Sequence, residues 1–377
     1  MKSSHNHQDR IVVKVGTSTL SRPEGGLDRA RVQSLADELA GLRREGYQIL
    51  LVTSGAIGAG MGHFGWTVRP KTLREKQAAA AVGQVVLMES YRDSFQKQGL
   101  SVAQVLLTRQ DLEDRKRYLN IRASLFTLLK LGVVPVINEN DTVSTDEIQI
   151  GDNDTLAALV ACKMDARSLV ILTDVEGLLD KGSGASAGSE PVIHDVVSIT
   201  SDIERLAGKR SGSRVGVGGM ATKLRAAQMV AASGIEMWIV SGRKNGLIRE
   251  ALSGRRIGTH FHAQKESLSP RRRWIAFGRR IQGSVTIDDG AASALLKKGR
   301  SLLSAGVTGV QGDFHRGDTV RVLTADSKEI ARGLVSYEAV QVRQIVGRKS
   351  ADVRRIFGTD AAEEVIHRDN LVLIPRS

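Results

Sequence analysis

Cysteine, aromatic residues and long apolar runs are all scarce in this sequence, and each scarcity excludes a class of protein. The single cysteine, Cys162, can form no disulfide within the chain, and its apolar surroundings indicate a core residue rather than a reactive thiol. Aromatic residues make up only 4% of the chain, so its cores must be aliphatic. No run of about 18 apolar residues occurs, and the first ten residues lack the apolar segment of a secretory signal. We therefore expect a soluble, cytoplasmic protein without a membrane-spanning helix.

Negative charge is in deficit. The chain carries a formal net charge of +13, which favours anionic partners such as nucleotides or nucleic acid but says nothing about the fold. At 377 residues it is longer than one ordinary domain. We predict a first domain over residues 8–264, a linker over 265–280 and a second domain over 281–375.

Apolar runs of strand length alternate with segments of helical periodicity in the first domain. This alternation predicts an α/β fold with a mainly parallel sheet covered by helices. After about residue 265 long helices give way to short strands separated by glycine-bearing turns, which predicts a small, mostly β barrel. The runs interpreted as strands are 10–15, 48–53, 101–107, 132–137, 168–173 and 235–240 in the first domain, and 284–287, 319–323, 330–335 and 371–374 in the second.

Carboxylates and amides crowd into the stretch from Pro135 to Asp154. One group follows a predicted strand and the other precedes a predicted helix, which is where open α/β sheets bind ligands. The plainer alternative is that Asp152 or Asn153 only caps the helix. We favour a site, because two polar groups flank the same connection; its members are Asn138, Glu139, Asn140, Asp141, Asp152, Asn153 and Asp154.

Two lysines stand beside glycine-bearing loops. Lys14 interrupts an otherwise apolar first strand, and a buried, unpaired ammonium would cost several kcal/mol, so it is expected to face an anion at the strand end. Lys223 follows glycines that open a helix, and a helix start favours anions. Neither the Gly-x-Gly-x-x-Gly nor the Gly-x-x-x-x-Gly-Lys-Ser/Thr loop occurs in its proper context, so this is no ordinary Rossmann or P-loop site.

Lysines, glycine loops and clustered acids fit phosphoryl transfer, in which a protein mainly positions substrates and neutralises spreading charge. Neither polar cluster contains a histidine that could act as a base. That absence makes sense if the acceptor is a carboxylate, which is already ionised at neutral pH because its pKa is about 4. Asp and Asn could then pair with a substrate ammonium, as an amino acid would require.

Six motifs occur in the same order as in a known family. They resemble the glutamate 5-kinases of the amino acid kinase family, over about residues 10–372, and the C-terminal part resembles the PUA domain. The motifs are Ile-Val-Val-Lys-Val-Gly-Thr-Ser (11–18), Val-Thr-Ser-Gly-Ala-Ile (52–57), Ile-Asn-Glu-Asn-Asp (137–141), Gly-Asp-Asn-Asp (151–154), Leu-Thr-Asp-Val-Glu-Gly-Leu (172–178) and Gly-Gly-Met-Ala-Thr-Lys (218–223). The resemblance implies an α/β/α sandwich plus a PUA barrel, and ATP-dependent phosphorylation of the L-glutamate γ-carboxylate to L-glutamyl 5-phosphate, the first step of proline biosynthesis.

The resemblance also implies roles for individual residues. Lys14 and Lys223 would contact the phosphates and stabilise the transferring group, and Asp152 would orient both lysines. Glutamate would be bound by Ser54, Asp141 and Asn153, with Asn138 and Asp154 nearby. ATP would be bound by Lys14, Thr173, Asp174, Val217, Gly218, Gly219, Met220, Ala221, Thr222 and Lys223. Val217 departs from the pattern, because a hydroxyl residue is expected there. Mg²⁺ would be held chiefly by phosphates, so no protein ligand is named.

Further partners follow from the same resemblance. Family members are commonly inhibited by proline, with residues 58–74 near the sensitive loop, and a homodimer or homotetramer and a glutamyl phosphate reductase partner are expected. Two alternatives stay open: another acceptor (aspartate, N-acetylglutamate, carbamate or a nucleotide monophosphate), or an RNA-binding protein whose kinase domain has degenerated. Intact Lys14 and Lys223 argue against degeneracy.

The arginine-rich stretch 271–280 has two readings. Its cations and its rings, Trp274 and Phe277, have the composition of an RNA-binding surface, and PUA domains elsewhere bind RNA. Alternatively it is an amphipathic helix whose rings pack on a domain while its arginines stay hydrated. We favour the second reading.

Overall fold

The computed structural model describes residues 10–22, 25–143, 153–180, 190–207, 219–264, 269–277, 281–359 and 361–374. The chain divides into two compact units, Met1–Ser267 and Leu268–Ser377. No helix among the described residues is both long enough and apolar enough to cross a membrane.

The first unit alternates strands and helices as predicted. Its strands are β1 (Arg10–Val15), β2 (Gln48–Val52), β3 (Val102–Leu107), β4 (Val134–Glu139), β5 (Ser168–Thr173), β6 (Leu178–Leu179), β7 (Val192–Ile193), β8 (Asp195–Val196), β9 (Glu236–Ser241) and β10 (Thr259–Phe261). Its helices are α1 (Thr17–Leu20), α2 (Arg29–Arg44), α3 (Ala56–Phe64), α4 (Leu73–Gln96), α5 (Arg109–Glu113), α6 (Arg115–Lys130), α7 (Asn153–Lys163), α8 (Ser201–Leu206), α9 (Met220–Ala231) and α10 (Leu247–Leu252).

Eight of these strands form one sheet in the order β3-β4-β2-β1-β5-β9-β10-β8. The six strands from β3 to β9 pair in parallel, and β10 pairs antiparallel with β9. The predicted mainly parallel sheet is therefore confirmed. The strand order reverses between β1 and β5, and a ligand crevice is expected at the carboxyl ends of the strands beside such a reversal.

Side-chain alternation along β1 divides its residues between the two faces of the sheet. Ile11, Val13 and Val15 are buried in the core formed with α2, α4 and α10. Lys14 lies on the other face, where it meets α7. The lysine that breaks the apolar pattern of the sequence is thus the residue that β1 presents to the opposite layer.

The segment after β2 has the glycine content of a loop, but it is helical from Ala56. This helix, α3, packs backbone to backbone on α4: a Cβ atom added to Gly83 would lie 1.8 Å from the carbonyl oxygen of Ala56. Small residues suit such a close approach, and here they explain both the glycine content and the missed helix. The contact also places Gln84 next to the end of β2.

The second unit contains the predicted β-sheet, but it is not mostly β, because four α-helices among the described residues hold about as many residues as its strands. Its elements are α11 (Pro270–Phe277), β11 (Ile281–Ile287), α12 (Asp289–Lys298), β12 (Leu302–Leu303), β13 (Val307–Gly312), β14 (Thr319–Leu323), β15 (Glu329–Leu334), α13 (Ala339–Ile345), α14 (Ser350–Phe357), β16 (Glu364–Ile366) and β17 (Leu371–Leu373). A five-stranded sheet has the order β13-β11-β14-β15-β17, and β12 pairs with β16.

Helix α11 occupies part of the stretch predicted as a linker. Ile275 and Ala276 are buried against Val372 of the second unit, and Trp274 and Phe277 pack on the same cluster. The rings therefore contribute to packing, which supports the amphipathic reading of this arginine-rich stretch. Arg272 is exposed.

Candidate active site

A buried carboxylate joins two lysines at the carboxyl-terminal edge of the sheet. The Nζ atom of Lys14 lies 2.7 Å from Oδ1 of Asp154, and the Nζ atom of Lys223 lies 3.1 Å from Oδ2 of the same residue. The Asp154 side chain is fully buried, and both lysines are less than a tenth exposed. Thr222 adds a hydrogen bond from its hydroxyl to Asp154 Oδ2 (2.9 Å).

The charges of this group do not cancel. Burial alone would raise the pKa of Asp154, but the attraction of Lys14 and Lys223, together with hydrogen bonds from Lys14 and Thr222, outweighs burial and lowers the pKa to about 2. The carboxylate is therefore ionised at neutral pH. Two ammonium groups and one carboxylate leave a net charge of +1 in a site that water barely reaches. Such a site favours an anion.

Local sequence explains why these three side chains meet. Lys14 comes from β1, in the centre of the sheet, and Asp154 lies in the first turn of α7, where negative charge suits the helix dipole. Lys223 lies in the first turns of α9, which packs along α7. Strand, helix and helix thus each contribute one charge.

From the sequence, Asp152 is expected to orient both lysines and Asp154 to lie near glutamate. Asp152 lies outside the described residues, and its role stays a prediction. The structure places Asp154 between the lysines, because the first turn of α7 directs this residue inward to 0% exposure. Asp154, two residues further along the chain, therefore contacts both lysines.

A second cluster, built from amides and a hydroxyl, lies at the ends of β2 and β4. The Nδ2 group of Asn153 is within hydrogen-bond distance of the Thr53 carbonyl oxygen (2.8 Å), the Ser54 hydroxyl (2.8 Å) and Oδ1 of Asn138 (3.0 Å). The Nδ2 group of Asn138 donates to Oε1 of Gln84 (2.9 Å). The structure thus brings together three of the residues predicted to bind glutamate, and adds Gln84.

This amide cluster retains unpaired polar atoms. Within the described part of the chain, Oδ1 of Asn153 and Nε2 of Gln84 are buried and have no hydrogen-bond partner. Leaving such an atom unpaired costs about 1–3 kcal/mol, which a ligand supplying the missing partner would offset. An acceptor and a donor are therefore both available, as the ammonium and carboxylate of an amino acid require.

The backbone at the end of β2, next to the amide cluster, is positioned by a buried hydrogen bond between two hydroxyl groups. The hydroxyl groups of Thr53 and Tyr91 lie 2.8 Å apart, and both residues are fully buried. Gly55, which precedes α3, has a φ angle of 103°, a conformation that L side chains rarely adopt. Tyr91 and Gln84 both lie on α4. Neither residue could be predicted from the sequence, because no local pattern marks which residues of a long helix contact the end of a distant strand.

Asp141 follows the end of β4. Burial raises the pKa of this carboxyl group to about 6. Its side chain is therefore mostly ionised at neutral pH, at an energetic cost that a cationic partner would reduce.

Backbone amides at this edge are open to an anion. Helices α1, α3 and α9 begin after Gly16, Gly55 and Gly219, and none of these glycines provides a side-chain cap. The first N–H groups of a helix otherwise lack partners, so phosphate oxygens can accept from them. Thr173 and Asp174, predicted to bind ATP, end β5 at the same edge, and the Thr173 hydroxyl donates to Asp174 (3.1 Å).

These features fit the phosphates of a nucleoside triphosphate. Across the described ranges, the one group of three or more metal-ligating side chains that could hold an ion lies elsewhere, at Asp195, His260 and His262. Val217 and Gly218 of the predicted ATP loop lie outside the described residues, whereas Met220 and Ala221 begin α9.

Comparison with known proteins agrees with this geometry. Residues 9–241 match the model of the amino acid kinase family, and residues 283–357 match the PUA domain. The chain belongs to the amino acid kinase family. Glutamate 5-kinase of Caldanaerobacter subterraneus subsp. tengcongensis is 47% identical over 97% of this chain and 98% of its own, and that of Moorella thermoacetica is 48% identical over 97% of this chain and 96% of its own.

Family membership confirms several predictions made from the sequence. The protein is a kinase with a C-terminal PUA domain, and the resemblance to the glutamate 5-kinases extends over nearly the whole chain. The α/β fold with a mainly parallel sheet is the one expected for this family. A kinase of this kind uses ATP and, as a rule, a divalent metal ion.

Proposed function

We propose that this kinase transfers the γ-phosphoryl group of ATP to the γ-carboxylate of L-glutamate, giving L-glutamyl 5-phosphate and ADP, the first step of proline biosynthesis, in the cytoplasm. The observation that carries the proposal is the buried group of Lys14, Asp154 and Lys223 with its net positive charge. The curated relatives named glutamate 5-kinase support the choice of glutamate.

The reaction needs charge stabilisation more than proton transfer. A carboxylate oxygen of glutamate forms a bond to the γ-phosphorus, the bond from that phosphorus to the β–γ bridging oxygen breaks, and ADP leaves with the electron pair. Glutamate arrives ionised, since its side-chain pKa is about 4.3, so no general base is required. No histidine occurs between His63 and His194 in the sequence, in agreement with this chemistry.

The lysines would stabilise the transferring group. Phosphoryl transfer spreads negative charge over the equatorial oxygens of phosphorus, and cations placed in advance lower the barrier because they need not reorganise. Asp154 positions both ammonium groups and keeps them from repelling each other. Mg²⁺, which we propose as the divalent ion, would neutralise phosphate charge and be held by the phosphates themselves.

The amide cluster would select the amino acid. The unpaired Oδ1 of Asn153 can accept from an ammonium, and the unpaired Nε2 of Gln84 can donate to a carboxylate. Asp141 would pair with the substrate ammonium, and Ser54 and Asn138 would complete the pocket. The unpaired oxygen of Asn153 and the unpaired amide nitrogen of Gln84 therefore each have a partner group on glutamate, the ammonium and a carboxylate.

Four further partners are proposed from the family resemblance. They are proline as a feedback inhibitor near residues 58–74, a homodimer or homotetramer, association with glutamyl phosphate reductase, and RNA at the PUA domain. The PUA match supports RNA as a class of partner, and no more than that.

An acyl hydroxamate assay tests the proposal. Hydroxylamine captures an acyl phosphate as a hydroxamate, so ATP and glutamate should give colour while aspartate and N-acetylglutamate should not. ADP release measured in parallel covers carbamate and nucleotide monophosphates, which form no hydroxamate. Signal with another acceptor and none with glutamate would contradict the assignment, and binding of ATP without turnover of any acceptor would favour a degenerate kinase.

A further inference from the structure

Two histidines and two carboxylates meet at the edge of the kinase sheet, away from the proposed active site. His260 lies on β10, His262 directly follows that strand, Asp195 lies on β8, and Glu236 begins β9. The catalytic edge is at the other end of β9, after Ser241, about 16 Å along the strand. The phosphoryl-transfer chemistry makes no use of this cluster.

We propose that Asp195, His260 and His262 form a binding site for a divalent transition metal ion, with Zn²⁺ as the best fit. One donor atom from each residue lies within 4.8 Å of the other two. Oδ1 of Asp195 is 3.3 Å from Nε2 of His262 and 4.0 Å from Nδ1 of His260. Ligands bound to zinc at about 2.0–2.1 Å in a tetrahedron lie roughly 3.3 Å apart, so the side chains are close to ligating positions.

Glu236 supplies the second feature of a metal site. Nε2 of His260 lies 2.5 Å from Oε2 of Glu236, while Nδ1 of the same ring faces Asp195. A metal-bound histidine usually donates its other ring N–H to a carboxylate, which fixes the tautomer and the ring orientation. The Trp238 ring stacks on His260 at 4.2 Å and 4°, and so restrains the ring further.

The donor set indicates which ion would bind. Two imidazoles and one carboxylate suit zinc and its neighbours, whereas Mg²⁺ prefers oxygen ligands alone. Three protein ligands leave one position of a tetrahedron for water, and His262 and Asp195 are partly exposed, so the ion can exchange with solvent.

Such an ion would stabilise the pairing of β8 with β10 at the edge of the sheet. Strand β8 has two residues and joins the sheet only through β10. An ion held by Asp195 and His262 would tie these strands together across more than sixty residues of chain, and closing a long loop in this way stabilises the folded state.

Zinc titration of the full-length chain tests the proposal. Titration calorimetry on chelator-treated protein should show that one equivalent of Zn²⁺ binds saturably. In thermal melts, the melting temperature should rise with added Zn²⁺ but not with Mg²⁺ at the same concentration. His262→Gln and Asp195→Asn should each weaken Zn²⁺ binding by at least tenfold, and Glu236→Gln by about tenfold. Co²⁺ in place of Zn²⁺ should give the intense visible absorption of a four-coordinate site in the parent protein alone.

The controls separate this cluster from isolated histidines. His367→Gln removes an exposed histidine that has one carboxylate neighbour, at 3.5 Å, and should leave Zn²⁺ binding unchanged. All titrations are made in a His5→Gln/His7→Gln background, so that the N-terminal residues cannot supply ligands. Absence of a saturable equivalent, or equal affinity in the parent, His262→Gln and Asp195→Asn proteins, would overturn the proposal and leave a histidine–carboxylate network without a metal role. Kinase activity should be unaffected by His262→Gln, which confirms folding.

Discussion

The two halves of the catalytic edge solve different problems with different chemistry. One half is ionic: the ammonium groups of Lys14 and Lys223 lie 2.7 Å and 3.1 Å from the carboxylate oxygens of Asp154, almost out of contact with water. The other half is neutral: Ser54, Asn138 and Asn153 form a hydrogen-bonded cluster. The ionic half suits a reaction in which negative charge spreads, and the neutral half suits discrimination among small acceptors.

The two halves also differ in how their polar groups contribute to the stability of the protein. In the ionic half every charge depends on the others, because removing one partner of a buried ion pair leaves an uncompensated charge. In the amide half the unpaired Asn153 and Gln84 atoms cost free energy until a ligand arrives. Substitutions in the ionic half should therefore lower both the reaction rate and the stability of the fold. Substitutions in the amide half should mainly lower the affinity for the substrate.

The largest effect is expected for Asp154→Asn. Two adjacent ammonium groups would lose their carboxylate, so we expect kcat to fall by about 10²–10³-fold or more and the free energy of unfolding to fall by about 3–5 kcal/mol. Steady-state kinetics and thermal melts measure both. Asp37→Asn, at an exposed position on α2, is the matched control and should change neither. A near-normal rate in Asp154→Asn would remove this residue from the mechanism.

The pH dependence of the free energy of unfolding gives a second test of Asp154→Asn. The pKa of Asp154 is lowered to about 2, so its contribution to stability is complete above the unfolded pKa of about 4 and is lost as pH falls towards 2. The stability difference between the parent and Asp154→Asn proteins should therefore narrow over that interval in acid unfolding experiments. A difference that stays constant from pH 5 to about 2 would contradict the assignment.

A smaller effect is expected at Asp141. Because its pKa is raised to about 6, protonation below that pH would remove the charge proposed to pair with the substrate ammonium. We expect kcat/KM for glutamate to fall as pH drops through about 6, and Asp141→Asn to be low and insensitive to pH in this range. The KM for ATP should change little. An unaltered pH profile in Asp141→Asn, or a change confined to the KM for ATP, would contradict this role.

The smallest effect is expected from removing the second unit. The second unit has an apolar core of its own, and α11 packs against Val372 of its strand β17. Deletion of residues 265–377 should leave measurable ATP-dependent hydroxamate formation in a folded protein. Complete loss of activity in a soluble, folded truncation would show that the second unit is part of the site.

RNA binding gives a further test of the second unit. Since Trp274 and Phe277 pack in a core cluster, we expect any RNA binding by the full chain to reflect its charge and to decline steeply with salt. Filter binding from 50 to 200 mM salt measures this. Sequence-specific binding that persists at the higher salt concentration would support an RNA-reading surface.

Much of the fold could be predicted from the sequence because its signals are local. The strands of the sheet are short apolar runs, and Lys14 is conspicuous because it lies among apolar residues within the first of them. The α3 helix was missed because glycine ordinarily ends helices, whereas here glycine allows α3 and α4 to touch. Antiparallel β10, which follows the parallel strands, has too few residues to carry a recognisable pattern.

The site was harder to assign than the fold. Asp152 and Asp154 are the same residue type in one short motif, and only the inward direction of the Asp154 side chain in the first turn of α7 shows that this residue meets the lysines. Gln84 and Tyr91 lie far from every motif in the sequence and reach the site because α4 packs beneath the strand ends. Such long-range packing produces no recognisable pattern in the local sequence around Gln84 or Tyr91.

The central claim is the division of labour between the two halves, and parallel kinetics of Lys223→Met and Asn153→Ala test it most directly. We predict that Lys223→Met lowers kcat by at least about 10²-fold with a small change in the KM for glutamate. Asn153→Ala should instead raise the KM for glutamate by about 5- to 150-fold, since a polar contact of roughly 1–3 kcal/mol is lost, while keeping most of kcat. Lys97→Ala, on the exposed end of α4, is the control. A fall in kcat of similar size in both variants with no change in either KM would contradict the division.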